Sequence, residues 1–456
     1  MTTSISISIK AHAAALREGR TTSSALIEQA LDRLGDPSGE GQRTFVKVYA
    51  DRARAAARAS DLLRSAGLSR SALEGLPISI KDLFDVAGET TLAGSVVRQG
   101  APAATEDAEV VRRLQAAGAI VIGRTNMTEF AYSGLGLNPH YGTPLNPWDR
   151  VTGRIPGGSS SGAAVSVADG MAVAGIGSDT GGSVRIPAAL CGLTGFKPTA
   201  RRVSMRGVLP LSAYLDSVGP IAPTVACCAA LDSVLSGEQA DLPRSLPLRG
   251  LRLLAPTTVV RDDMDASVAD AFGRALSALS AAGALVQEAP LPAFSRLAGI
   301  NAKGGFTAAE AWAWHRETIE RAADRYDPRV VSRILRGKEL SAADLLDLLH
   351  ARTAWIAEVE AAVSGFDALI LPTVPLVAPS VDELAASDEA YFRANGLMLR
   401  NPTLINFLDG CALSLPCHEP GSAPVGLMIA GAAMSDRRIL AIGYAVETCL
   451  RAAGRG

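Results

Sequence analysis

Apolar residues in the first 70 positions recur at helical spacing, and short apolar runs replace this pattern from about residue 75. After candidate N-caps at Thr22 to Ser24, the apolar positions fall on one helix face: Leu26, Ile27, Ala30, Leu31 and Leu34. An Ala/Arg-rich helix is predicted over 51–66, with Gly67 placed to end it, and residues 45–49 favour a strand. The pattern therefore predicts an N-terminal, mainly helical segment over residues 1–70 that packs on the rest of the chain.

From residue 75 onward, short apolar strands alternate with helices and Gly-rich turns. Strands are predicted at 76–81, 119–123, 171–177, 251–255, 284–288 and 368–372. Helices are predicted at 107–117, 163–169, from Ser183 onward, at 266–282 and over most of 307–363, with a helical turn at 127–132. Strands that alternate with helices indicate an α/β layered fold.

A Pro/Leu-rich stretch at 241–250 is the best candidate for a linker within the chain. The strands predicted beyond it are of the kind that can join the same sheet as those before it. The sequence therefore favours one large domain over residues 71–456 rather than two.

Composition and charge narrow the classes of function. The 456 residues are 48% hydrophobic and 20% charged, and the formal net charge is -2. This composition is typical of a globular protein with a sizeable core. The slightly negative net charge does not favour binding to nucleic acid or to acidic membranes. The chain has no uninterrupted apolar run of 18 residues, and its first ten residues do not resemble a signal peptide. We expect a soluble cytoplasmic protein with neither nucleic-acid nor membrane partners.

Cysteine, histidine and lysine usage bears on the chemistry. Six cysteines lack C-x-x-C spacing, which favours reduced thiols, and five isolated histidines form no metal-binding motif. We therefore expect no metal and no cofactor, and acid-base chemistry that does not use imidazole. Only six of the 44 basic residues are lysines. A lysine can lose its proton whereas an arginine cannot, so each lysine position is of interest.

Two motifs rich in small residues stand out. The first, I-P-G-G-S-S-S-G-A-A over 155–164, has the composition of a flexible linker, but it leads directly into an apolar helix and a strand. The second, G-I-G-S-D-T-G-G-S-V-R-I-P-A-A over 175–189, breaks a strand at two glycines and restarts as a helix at Ser183. A serine at such a corner is expected to be exposed, with backbone N–H groups converging as in an oxyanion hole. Neither motif matches a phosphate-binding loop.

Three motifs together resemble the amidase signature family. They are P-I-S-I-K-D with Lys81 at the end of a strand, P-G-G-S-S with Ser159, and G-S-D-T-G-G-S-V-R-I-P-A with Ser183. The two serines lie 24 residues apart, which is the interval usual in the family. The similarity covers most of residues 20–450 and is densest at 75–220. Three residues depart from the family pattern, namely Ser161 in place of Gly, Ser178 in place of Thr and Met428 in place of Gln.

The resemblance implies a fold and a set of residue roles. The implied fold is α/β, with a large mixed sheet covered by helices on both faces and a variable substrate-pocket region at about 250–400. Ser183 would be the nucleophile and Lys81 the buried base. Ser159, which would follow Gly158 through a cis peptide bond, would be the proton relay. The backbone N–H groups that would stabilise the oxyanion belong to Thr180, Gly181 and Gly182. Asp179, Arg185 and Ser160 would orient the loop. Lys197 would hold the turn at 195–199.

The resemblance also implies a class of reaction, within which the substrate stays open. The leading interpretation is an amidohydrolase that cleaves the carbon–nitrogen bond of a small-molecule amide through a serine acyl-enzyme. The alternatives are a carbamate, biuret or urea-derivative hydrolase, the amidase-like subunit of a glutamine-dependent tRNA amidotransferase, and an inactive homologue, which the intact Ser-Ser-Lys set disfavours. A homodimer is left open. Five aromatic residues could line a substrate funnel, but core packing is favoured for them: Trp312, Trp314, Tyr326, Tyr391 and Phe392.

Overall fold

Residues 8–238 and 246–454 are described by a computed structural model, in which one mixed sheet of 11 strands runs through these residues. The strands are β1 Phe45–Val48, β2 Pro77–Lys81, β3 Ile120–Thr125, β4 Ala174–Asp179, β5 Thr194–Lys197, β6 Ser217–Ala222, β7 Arg252–Pro256, β8 Leu285–Ala289, β9 Ala368–Pro372, β10 Cys411–Pro416 and β11 Gly426–Gly431.

The α-helices around the sheet are α1 Ile9–Arg17, α2 Ser23–Gly35, α3 Gly41–Thr44, α4 Ala50–Ser65, α5 Glu109–Ala116, α6 Ser161–Ala168, α7 Arg185–Leu190, α8 Val225–Ser236, α9 Ala266–Ala281, α10 Ala293–Ile300, α11 Gly305–Ala322, α12 Pro328–Leu335, α13 Ala342–Val363, α14 Val381–Ala385, α15 Asp388–Phe407 and α16 Asp436–Ala452. Short 3₁₀ turns lie at Glu129–Ala131, Arg150–Thr152, Ala200–Arg202, Ala323–Arg325 and Arg336–Glu339.

The strand order is β1-β3-β2-β4-β6-β5-β10-β11-β9-β7-β8. The parallel group β3-β2-β4 and the parallel group β9-β7-β8 are joined through antiparallel pairs in the middle of the sheet. Strands from both sides of the candidate linker thus belong to one sheet. Residues 241–245 of that linker lie outside the described residues.

Both faces of the sheet are covered in its C-terminal half. Successive residues of β9 point to opposite sides, as in any strand. Ala368 and Ile370 enter a core cluster with side chains of α9 and α16, whereas Leu369 and Leu371 enter another with side chains of α13 and α15. Strand β9 is buried along its whole length, and the edge strand β8 is largely exposed. The predicted α/β fold with a large mixed sheet is confirmed.

The N-terminal segment predicted over 1–70, of which residues 1–7 lie outside the described residues, contributes a strand as well as helices. Ile27 of α2 and Ala53 of α4 pack together with Ile120 of β3. Strand β1 adds to the edge of the sheet through antiparallel pairing with β3. The predicted caps also occur, since the Thr22 side chain accepts from the Ala25 amide and Gly67 has a φ of 74° just after α4.

Within the described residues, none of the helices is both long and apolar enough to traverse a lipid bilayer.

Candidate active site

Lys81 lies at the end of β2, next to the parallel strand β4, and its side chain is fully buried. Its Nζ donates to Ser159 Oγ at 2.7 Å and to Ser178 Oγ at 2.9 Å. A longer contact of 3.4 Å reaches the Ser178 carbonyl oxygen. Ser178 is one of the departures from the family pattern, and it provides the second hydroxyl partner of Lys81. The structure thus brings two of the three predicted catalytic residues into direct contact.

The pKa of Lys81 is lowered to about 7 because burial disfavours the charged ammonium. The carboxylates of Asp179 and Asp216 act in the opposite direction and favour the charged form. Desolvation is therefore the cause of the shift, and the neighbouring charges limit it. A lysine with this pKa has a substantial neutral fraction at neutral pH, as a proton acceptor requires.

Ser159 is held in a buried turn that precedes α6. The Gly158–Ser159 peptide bond is cis, as the resemblance implies. The Gly158 amide donates to the Gly134 carbonyl at 2.8 Å, and the Ser159 carbonyl accepts from the Thr128 amide at 3.1 Å. The Gly/Ser-rich run is therefore a packed loop rather than a flexible spacer.

Ser160 connects the two serine motifs. Its amide donates to the Ser183 carbonyl at 3.2 Å, and its hydroxyl contacts the Ser178 carbonyl at 3.4 Å. These contacts hold the Ser159 turn against the turn that follows β4.

Ser183 lies in the turn between β4 and α7, and two predictions about it need correction. Ser183 was expected to be exposed, but it is buried, with only 2% of its surface accessible. The cause is helix α15, which packs on the turn and brings Pro402 close to Gly182. Helix α7 begins at Arg185 instead of Ser183, since Val184 is its N-cap. Ser183 nevertheless borders a cavity.

Asp179 organises this turn through its carboxylate. It accepts from the amides of Gly182 at 2.8 Å and Val184 at 3.1 Å. Arg185 binds both of its oxygens, at 2.8 and 3.0 Å, and the pair is fully buried. Burial alone would raise the pKa of Asp179, but the charge and hydrogen bonds of Arg185 hold it well below its usual value. The Gly182 amide is thereby engaged with Asp179.

Two further side chains complete the surroundings of the Asp179–Arg185 pair. Asn406 donates to Asp179 Oδ1 at 2.9 Å and accepts from Arg185 at 2.5 Å. The sulfur of Met428, another departure from the family pattern, lies 3.2 Å from Arg185 Nη1. The turn is thus anchored to α15 and β11.

Asp216 lies in the L-D-S-V-G-P run at 215–220, but no sequence pattern assigned it a role. Its Oδ1 accepts from the Thr180 hydroxyl at 2.5 Å, and its Oδ2 accepts from the amides of Leu211 and Ser212 at 2.9 and 3.0 Å. Burial raises its pKa to about 6. Asp216 therefore connects the Thr180 turn with the loop at 211–215.

Lys197, His140 and His315 have partners away from this centre. Lys197 ends strand β5, so the turn predicted at 195–199 is wrong for residues 195–197. Its Nζ donates to the carbonyls of Pro198 and Gly410, and burial lowers its pKa to about 8. His140 contacts Glu129 at 2.8 Å and His315 contacts Tyr326 at 3.0 Å. Within 8–238 and 246–454, no three His, Cys, Asp or Glu side chains are grouped as a metal site would require.

The cavity at Ser183 has a volume of about 160 Å³, which suits a small molecule. Thr180 and Gly181 line it beside Ser183. Its apolar wall consists of Tyr132, Leu211, Leu215, Phe306, Leu399 and Phe407. Sequence reasoning missed this wall, since its members come from segments far apart in the chain.

The five aromatic residues weighed as a funnel do not line this cavity. Tyr326 and Tyr391 are buried in the core and Trp312 packs against it, as favoured, whereas Trp314 and Phe392 are exposed and the core prediction is wrong for them.

Comparison with known proteins shows what the chain resembles. The family model described as Amidase matches residues 25–440. The 2-amino-5-chloromuconic acid deaminase of Comamonas testosteroni is 36% identical over 450 residues, covering 97% of this chain and 96% of the relative. One subunit of the glutamyl-tRNA(Gln) amidotransferase of Chloroflexus aurantiacus is 33% identical over 477 residues, with coverage of 97% and 96%. A crystal structure of an amidase matches with a TM-score of 0.87 at 33% identity, covering 97% of this chain and 99% of the other.

The fold and these matches define a hydrolase of the amidase class, an enzyme that acts on carbon–nitrogen bonds. The chain belongs to the amidase signature family.

Proposed function

We propose that this enzyme hydrolyses a small-molecule amide through an acyl-enzyme on Ser183, with Ser159 as proton relay and Lys81 as base. The observation that carries the proposal is the buried contact of 2.7 Å between Lys81 Nζ and Ser159 Oγ, made by a lysine whose pKa is lowered to about 7. A neutral lysine can accept a proton through a hydroxyl, and a serine can attack a carbonyl when its proton is removed in this way.

In the acylation step, Ser183 Oγ bonds to the amide carbonyl carbon while its proton passes through Ser159 to Lys81. The carbonyl oxygen becomes an oxyanion, which backbone N–H groups of the turn stabilise. We assign this donation to Thr180, Gly181 and Ser183, since the Gly182 amide already donates to Asp179, and Gly182 shapes the turn. The carbon–nitrogen bond then breaks, and the leaving nitrogen takes the proton back along the relay.

In the deacylation step, water attacks the ester carbonyl and gives its proton to the same relay. Collapse of the second tetrahedral intermediate returns a proton to Ser183 Oγ and releases the carboxylate. Asp179, Arg185 and Ser160 hold the two turns in place and touch no reacting atom in this scheme. We also propose that residues 71–456 form the catalytic unit, with much of the pocket wall drawn from 250–400. The absence of C-x-x-C spacing among the six cysteines favours a cytoplasmic location.

The experiment that tests the nucleophile combines turnover with covalent labelling. Ser183→Ala should abolish ammonia release from a panel of amides, carbamates and ureas while leaving the circular dichroism spectrum unchanged. A fluorophosphonate should add mass to the peptide with Ser183 and to no peptide of the Ser183→Ala protein. Ser133 borders the same cavity, so Ser133→Ala is the matched control and should still be labelled. Full activity of Ser183→Ala would refute the assignment.

The second candidate function is that of one component of an amidotransferase complex, favoured by the 33% identity to the glutamyl-tRNA(Gln) amidotransferase relative. The two candidates differ in whether the chain works alone. Release of ammonia from small amides by the purified chain supports the first, whereas activity that needs glutamine together with co-purified partner proteins supports the second. The panel should include 2-amino-5-chloromuconic acid, the compound in the name of the deaminase relative.

A further inference from the structure

Arg333 lies on α12 and lines the cavity that contains Ser183. Of the described residues that line this cavity, Arg333 alone has a charged side chain. The polar groups nearby are neutral hydroxyl and amide side chains, namely Ser133, Asn301, Thr307 and Thr403. The cavity therefore carries a positive charge that no lining carboxylate offsets.

The position of the Arg333 guanidinium is set by Tyr132, another residue of the cavity wall. Nη1 of Arg333 donates to the Tyr132 carbonyl, and the guanidinium lies over the Tyr132 ring at 4.3 Å from its centroid. Among the described residues Arg333 has no ion pair and no second hydrogen bond, so its other N–H donors are available.

Arg329, one turn earlier on α12, makes a contrasting set of contacts. It pairs with Asp388 at 2.8 Å, lies over the Tyr391 ring at 4.4 Å and does not line the cavity. The helix thus carries one arginine that is neutralised by a protein carboxylate and one that faces the cavity without such a partner.

The start of α12 is also fixed, which positions Arg333 in advance of binding. The Asp327 side chain caps the helix by accepting from the Arg329 amide, and the Asp327 amide donates to the buried Glu129. A positioned guanidinium beside an apolar wall binds a planar carboxylate through paired, charge-assisted hydrogen bonds.

We propose that the cavity binds amides whose acyl chain ends in a carboxylate, with Arg333 as the residue that binds this anion. This inference rests on the proposed function, because it names the substrate class of the same site. The cavity volume of about 160 Å³ restricts the class to short chains. Arg333 would determine specificity and take no part in bond breaking.

The test compares matched pairs of amides. Malonamate, succinamate and glutaramate carry the carboxylate at increasing distance from the amide, and 4-oxopentanamide and 5-oxohexanamide are the neutral methyl ketone counterparts of the last two. For at least one chain length, kcat/KM for ammonia release should favour the anionic amide by roughly 10- to 100-fold, as expected for a hydrogen-bonded charge pair. Arg333→Met should reduce this ratio to about one, mainly through a fall in kcat/KM for the anionic amide.

Arg329→Met is the matched control and should keep the ratio of the wild type. Arg333→Lys should restore part of the preference, because it keeps the charge but not the paired geometry. A wild-type ratio near one at both chain lengths, or a ratio that persists in Arg333→Met, would overturn the inference. In that case Ser183-dependent hydrolysis of the neutral amides would leave the proposed function standing.

A binding measurement tests the carboxylate subsite independently of catalytic turnover. Titration of the Ser183→Ala protein with succinate and glutarate should give a dissociation constant for at least one of them that weakens roughly 10-fold or more when Arg333→Met is added. Absence of binding by Ser183→Ala, or equal binding by both proteins, would overturn the inference even if no amide of the panel is hydrolysed. Matching thermal unfolding profiles should accompany each variant.

Discussion

Lys81 Nζ and Ser159 Oγ lie 2.7 Å apart at a fully buried position, although the two residues are 78 positions apart in the chain. The end of β2 supplies the lysine and the turn before α6 supplies the serine. Because burial lowers the pKa of Lys81 to about 7, this contact connects the proposed proton acceptor to the proposed hydroxyl relay. The pH dependence of the enzyme follows from it.

The rate should rise with pH through a limb near pH 7 and level off on the alkaline side. In the proposed mechanism the neutral form of Lys81 accepts the proton, and the fraction of this form increases as the pH rises through the pKa of about 7. A profile of kcat/KM from pH 5 to 10 measures this limb. Lys81→Ala should remove the limb with most of the rate, and Lys81→Arg should be nearly as inactive because arginine keeps its charge. Near-normal turnover of Lys81→Arg would contradict the mechanism.

Asp216 offers a second check on the same limb, since its own pKa is raised to about 6. Its negative charge favours protonated Lys81. Asp216→Asn should therefore lower the pKa of Lys81 and move the limb to lower pH, whatever the variant does to the plateau. Glu310→Gln, which alters a carboxylate bonded to Ser212, should move the limb less. Loss of the limb in Asp216→Asn would assign it to Asp216 instead of Lys81.

The relay should be sensitive to one serine of the Gly/Ser-rich run and tolerant at another. Ser159→Ala removes the hydroxyl bonded to Lys81 and should lower kcat by roughly 10²- to 10⁴-fold, the usual value of a positioned proton-transfer group. Ser161→Ala is the control, because among the described residues the Ser161 hydroxyl donates only to the Asn126 carbonyl, at 3.5 Å. If Ser161→Ala were the damaging change, the assignment of the motif would be shifted by two residues.

The three catalytic candidates could be predicted from sequence because each lies in a short, contiguous motif. Lys81 ends an apolar run, and Ser159 and Ser183 follow paired glycines. Local patterns also predicted most elements, and strand β9 occurs at the predicted residues 368–372. Elements and site residues can therefore be predicted from sequence where a few neighbouring residues determine the local conformation.

The remaining features depend on contacts between distant segments. Strands β10 and β11 were not predicted, because their pairing with each other and with β5 and β9 is visible only in the folded sheet. Helix α15 continues through Pro402, although a proline usually ends a helix in a prediction from sequence. This helix covers the turn that contains Ser183. The cavity wall and Arg333 come from segments that no local pattern connects.

The Asp179–Arg185 pair should be a large contributor to stability. Asp179→Asn would leave the buried guanidinium of Arg185 without its charge partner, which costs about 3–5 kcal/mol in comparable cases. Denaturant unfolding at pH 7 measures this loss, and kcat should fall with it because the turn around Ser183 loses its anchor. Glu28→Gln breaks the exposed pair with Arg54 and should leave the unfolding free energy nearly unchanged. Equal effects of the two substitutions would mean that the buried pair has no special role.

Gly182 should tolerate no side chain, whereas its neighbour Gly181 should tolerate a methyl group. Gly182 has a φ of 122°, and a Cβ there would lie 2.6 Å from Pro402 Cβ and 2.7 Å from Ile186 Cδ1. Gly182→Ala must therefore shift the turn, and displacement of a reacting group by about 1 Å costs on the order of 10²-fold in rate. At Gly181 the φ is ordinary, and the nearest atom to a new Cβ is the rotatable Thr403 hydroxyl at 3.1 Å. Gly181→Ala should keep the stability of the wild type and mainly raise KM, because its methyl group enters the cavity. Steady-state kinetics and thermal unfolding of the two variants decide the matter. A Gly182→Ala enzyme with wild-type kcat would show that the turn is not the rigid support on which the proposed oxyanion site depends.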